Sequence, residues 1–150
     1  MKRIPELRDL SDDHHTGLAL ARRCRQVGRP NSAVSDEVLW KQVIEAFAAH
    51  LEPHFLIEEQ HLLPALEAIG EASLANRIRE DHSALRTLRD AEFPSPTTIQ
   101  HFGELLESHI RFEERKVFEP TQERLPASAL KAIAAACEAS SRSRSASLEP

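Results

Sequence analysis

Eight histidines stand in this 150-residue chain, and two of them open the same pattern. His54-Phe-Leu-Ile-Glu58-Glu59 is answered further along by His109-Ile-Arg-Phe-Glu113-Glu114. An imidazole and a carboxylate four residues apart differ in direction by only about 40° on an α-helix, so each pair shares one stripe. Around His109 that stripe is apolar. Phe102, Leu105, Leu106 and Val117 fall within roughly 80° of it, which turns His109 and Glu113 toward a core. Glu114 points about 140° away and is expected in solvent, as is Glu59. A carboxylate in a core is costly unless it is paired or bound to a metal. Two of them, each beside an imidazole, call for cations.

A second echo joins Asp13-His14-His15 to Glu80-Asp81-His82. His82 borders a face made by Leu74, Ala75, Ile78 and Leu85. Between the first two histidines the signals divide. His14 is in phase with Leu7, Leu10, Leu18 and Ala21, whereas His15, like His82, precedes a leucine by three residues; both stay candidates. His61 is a further candidate nitrogen, two turns past His54 and within about 20° of it in direction. The plainer reading of His61, a partly exposed or hydrogen-bonded histidine, weighs more. His50 and His101 read chiefly as surface or bundle-end residues.

Four imidazoles and two carboxylates suit iron, with manganese or zinc as the alternatives; mixed nitrogen and oxygen ligands favour iron or manganese over soft metals. One tetrahedral zinc would leave ligands over. Two ions bridged by Glu58 and Glu113 use them all. Each ion then takes two histidines and two bridging oxygens, with room for an oxo or hydroxo bridge and a small ligand. A purely structural polar core is the competing reading, and the repetition in alternate helices argues against it.

The elements that must position these groups are helices. Ala, Leu, Glu and Arg dominate and only four glycines occur. Ser11 is expected to cap a helix over about residues 11–27, stopped by Gly28-Arg29-Pro30-Asn31. A second helix is expected over about 35–70, with Pro53 kinking or restarting it before His54. A third spans about 71–91 and a fourth about 97–119, ending before Pro120. Pro126 opens a shorter alanine-rich helix to about residue 139. The Ser/Arg-rich remainder is poor in apolar residues. The expected architecture is all-α, an antiparallel up-down four-helix bundle in residues 1–138 with a short extra C-terminal helix, and a disordered tail over 139–150.

Composition narrows the function. A net charge of −5, with no basic stretch interleaved with aromatics, leaves no footprint for nucleic acid. No apolar run approaches the length of a membrane span. No apolar signal core follows Met-Lys-Arg-Ile-Pro-Glu, which points to the cytoplasm. Cys24 and Cys137 are isolated, make no zinc motif and suit a reducing compartment.

His in the first helix, His-x-x-x-Glu in the second, His in the third and His-x-x-x-Glu in the fourth resemble the hemerythrin/HHE cation-binding family. The flank Glu58-Glu59-Gln60-His61-Leu62-Leu63-Pro64 is similar to that family's Glu-Glu-x-x-Leu-hydrophobic-Pro run. The resemblance covers roughly residues 8–120, and the motif order differs from the Glu-x-x-His of ferritin-like proteins. It implies a non-haem di-iron centre that binds or senses O2, iron or NO. A di-iron enzyme acting on peroxide or nitric oxide, or donating iron for cluster repair, is the alternative; a plain helical interaction module is a third. Two departures weigh against reversible oxygen carriage. Arg86 occupies the place of the carriers' second histidine in helix three, and Glu113 and Glu114 stand where the carriers end the motif in aspartate at i+5.

Overall fold

A computed structural model describes residues 2–29 and 34–147, so Pro30 and Asn31 of the expected first stop lie outside the described residues. Five helices account for the fold: α1 (Pro5–Arg25), α2 (residues 36–68), α3 (Ala72–Arg89), α4 (residues 96–124) and α5 (Ala127–Ser147). Short connections between long helices make α1 to α4 an antiparallel bundle. Among the described residues no helix is long and apolar enough to cross a membrane.

Several ends differ from the sequence reading. α1 begins at Pro5, not Ser11, because proline at the first position is preset for a helix and Leu7 and Leu10 of that added turn are fully buried. Ser35 and Ser95 do act as caps, each accepting a hydrogen bond from a backbone N–H three residues on, at 3.2 Å. Gly70, at φ 86°, supplies the left-handed residue that ends α2.

Three π turns interrupt the long helices: Phe47–Leu51 and Glu58–Leu62 in α2, and Glu113–Val117 in α4. They explain why prolines do not break these helices. Glu52 donates across the first turn to Phe47, and Leu63 across the second to Glu58; Pro53 and Pro64 come next in each case. A proline's missing donor thus falls where the hydrogen-bond ladder is already changing register. Instead of restarting near His54, α2 runs through Pro53. α4 likewise passes Pro120, two residues beyond the closing donor of its π turn, and continues to Arg124, beyond its expected end at Glu119.

The core has two apolar halves. One gathers Leu20, Val43, Phe47, Phe102 and Ile110; the other gathers Leu7, Leu10, Leu63, Ile78 and Phe118. Between them lies a polar layer. α1 and α4 approach closely within the first half, since a Cβ on Gly103 would stand 2.6 Å from the Ala21 carbonyl oxygen. α5 packs on α1 and α2 through buried Ile133 and Cys137. It extends to Ser147, so residues 139–147 are helical where the composition suggested a disordered tail; 148–150 lie outside the described residues. The exposed Ser141, Arg142, Ser143 and Ser145 form the solvent side of a helix already anchored by its first half.

Candidate metal centre

Six side chains fill the polar layer: His14 from α1, His54 and Glu58 from α2, His82 from α3, and His109 and Glu113 from α4. All are at most 4% exposed. Every imidazole directs Nε2 inward. His109 Nε2 lies 2.6 Å from Glu113 Oε1, while His82 and His54 Nε2 lie 3.2 and 3.4 Å from Glu58 Oε1. His14 Nε2 is 3.8 Å from Glu113 Oε1. Neither these four nitrogens nor the four glutamate oxygens has a well-formed hydrogen bond. Buried polar atoms are rarely left so, because each costs its desolvation. Here they converge. His14, His54, Glu58 and Glu113 make one group and Glu58, His82, His109 and Glu113 a second, the donor atoms of each within 4.8 Å of one another. Both glutamates belong to both groups.

The charges sharpen the point. Burial, joined by the negative charge of Glu58, raises the Glu113 carboxyl above its ordinary range. Burial works against ionisation of Glu58 too, but the positive charge of His54 and the close approach of Glu113, His54 and His82 hold it well below the usual carboxylate range. Burial opposes a charge on His109 as well. Glu113 and Asp81 override it and push the imidazole up to about 10. Without cations the layer must therefore keep protons on its donors to tolerate two facing carboxylates. A positive ion removes that conflict and satisfies the orphaned atoms together.

A family model described as the hemerythrin HHE cation-binding domain matches residues 6–120. The chain belongs to this family. Comparison with curated proteins and with solved structures finds no match. The matched stretch of this HHE domain contains all six buried residues, and their donor set fits cations.

Behind each imidazole of the HHE domain stands a carboxylate from an adjacent helix. His14 Nδ1 lies 2.7 Å from Glu114, His54 Nδ1 3.0 Å from Asp13, His82 Nδ1 2.6 Å from Glu59 and His109 Nδ1 3.1 Å from Asp81. Around the bundle these four contacts close a ring in which every helix both gives a histidine and lends a carboxylate. Such partners fix the ring orientation and make the imidazole a stronger donor. Glu59 and Glu114 are thus not the solvated neighbours that helical phase suggested. At their angle they meet the adjacent helix rather than water. The acidic residue flanking each motif, before His14 and His82 and after Glu58 and Glu113, was the visible signal.

Arginines hold three of these carboxylates. Arg3 and Ser11 donate to Glu114 at 2.6 and 2.7 Å, Arg77 to Asp81 at 3.2 Å, and Arg86 to Glu59 at 2.8 Å. Arg86 also bridges to Glu52, so it serves as the supporting cation of the His82 carboxylate.

His15 and His61 fall in neither donor group. His15 is exposed on α1, whereas His14 is buried and lies in a donor group. His61 is half-buried within the Glu58–Leu62 π turn. The extra residue of that turn rotates later positions by about 100°, which takes His61 off the direction of His54. His50 and His101 are exposed.

Proposed function

We propose that this HHE domain holds two iron ions and uses them to bind or sense a small ligand such as O2, NO or peroxide. The observation that carries the two-ion reading is the set of eight unpartnered donor atoms, split into two groups that share Glu58 and Glu113. His14 and His54 would hold one ion, His82 and His109 the other, and the glutamates would bridge. Mixed imidazole and carboxylate donors favour iron or manganese. Ions of this kind supply reversible electron exchange with a small oxygen- or nitrogen-containing ligand.

The remaining residues restrict what reaches the site. A cavity of about 20 Å³ adjoins His14 and His54, walled by Gly17, Leu51, Leu106 and Ile110. That is room for one water-sized molecule. Its mostly apolar walls suit a diatomic better than a larger molecule, which supports binding or sensing over turnover of an organic substrate. Phe55, which also lines this cavity, stacks on His82 and closes the layer there.

The test is an iron-to-protein ratio and optical spectrum on chain purified from iron-sufficient medium. About two irons per chain are expected; less than about one tightly bound iron or manganese per two chains would overturn the reading. Anaerobic reduction followed by O2, NO or peroxide then separates a stable, reversible adduct from repeated turnover, and the second outcome would make the protein an enzyme.

A further inference from the structure

We propose that the two cation positions are unequal, and that the His14/His54 position fills first and more tightly because Asp13 carries the one ring charge that is in no direct ion pair with an arginine among the described residues. The inference rests on the two-ion reading above and concerns how this chain's own charges divide between the two positions.

In the His82/His109 half both outer carboxylates are compensated. Arg86 contacts Glu59 and Arg77 contacts Asp81. In the other half Arg3 pairs with Glu114. Asp13, behind His54, has no arginine within ion-pair distance among the described residues. Its surroundings add negative charge: Asp13 lines a groove of about 210 Å³ with Asp9 and Asp12, facing Arg144 across it. Three carboxylates there meet one guanidinium. A dication at His14/His54 therefore experiences an excess of negative charge that its counterpart lacks. Asp13 also makes His54 the histidine whose Nδ1 partner is least neutralised, and so the most strongly donating of the four.

Asp13 and Asp81 hold equivalent places in the ring, with Asp13 the more exposed. Each directly precedes a histidine of the layer, and each accepts from an imidazole of the neighbouring helix. They differ in arginine compensation, through Arg77.

The experiment is a titration of the metal-free full chain with Co(II), followed by calorimetry and visible absorption. Two steps of different affinity are expected. Asp13→Asn should weaken the tighter step by about 10-fold or more, in line with the cost of losing a carboxylate behind a ligating histidine. Asp81→Asn should weaken the looser step instead. Arg77→Gln, at an exposed guanidinium, should tighten the looser step several-fold and draw the two together; mere loss of packing would loosen it. The inequality is overturned if the wild-type steps are equal, if Asp13→Asn spares the tighter step, or if Arg77→Gln weakens binding. No tight Co(II) binding at all would overturn the two-ion reading itself, which separates the two failures.

Discussion

The ring of Phe55 lies against that of His82, centroids 3.9 Å apart and planes 17° from parallel. The residue following His54 on α2 therefore walls in the imidazole supplied by α3. Phe55 also meets His109 edge-on at 5.7 Å. Truncation to alanine should cost about 3–5 kcal/mol, the usual range for a buried phenylalanine. It should also loosen metal at His82/His109. Urea unfolding with and without metal measures both, and a variant with unchanged metal affinity would show that the stack only fills space.

Glu58→Ala and Glu113→Ala should each lose metal and the stability that metal confers, about 4 kcal/mol where free ion exceeds its Kd a thousandfold. The isosteric Glu113→Gln should behave differently once metal is stripped. It removes a raised, buried carboxyl facing Glu58, so the metal-free variant should melt higher than metal-free wild type. If either alanine variant keeps two ions, Glu58 and Glu113 do not bridge.

Acid should undo the ring. Burial opposes ionisation of Glu114, but hydrogen bonds from His14 and Ser11 and the nearby Arg3 hold it at about 2, against an ordinary 4.5. A depressed carboxyl contributes stability that is present above the unfolded value and lost as pH falls through the folded one. Metal-free wild type should thus exceed Glu114→Gln in melting temperature at pH 7, with the gap closing between about pH 4.5 and 2. A gap that widens on acidification would contradict this.

Gly103→Ala tests the seam between α1 and α4. Its new Cβ would meet the Ala21 carbonyl oxygen and the Cys24 side chain at 2.6 and 2.9 Å. Backbone cannot yield cheaply, so a loss of about 1–3 kcal/mol is expected. Since His14 lies on one helix and His109 and Glu113 on the other, metal affinity should fall as well. Chemical denaturation and a metal titration of the same variant check the two effects together.

His61→Ala should retain its full metal content and optical spectrum. Loss of an ion would show that the π turn does not carry His61 out of reach.

Much of this molecule is legible in its sequence because helical phase is a local property. It turned His54, Glu58, His82, His109 and Glu113 inward, and it favoured His14 over His15. What phase does not supply is the neighbour met at a given angle, and so Glu59 and Glu114 read as solvated. Nor does it register a π turn, which moved His61 by one residue's rotation, or foresee that α4 continues past Pro120. The length of α5 was hidden for another reason. Ile133 and Cys137 anchor its first half, and the serines beyond inherit a helix that their composition alone does not call for.

The carboxylate ring also has a sense of rotation. In α1 and α3 the lending residue comes just before the histidine, while in α2 and α4 it comes just after the glutamate. Because successive helices run in opposite directions, both arrangements turn the same way seen down the bundle axis. A bundle wound with the opposite hand would point Asp13 at α4 and Glu114 at α3, leaving every imidazole without its partner. The four acidic side chains thus favour one winding of the bundle over its mirror topology, through contacts that hydrophobic packing alone does not provide.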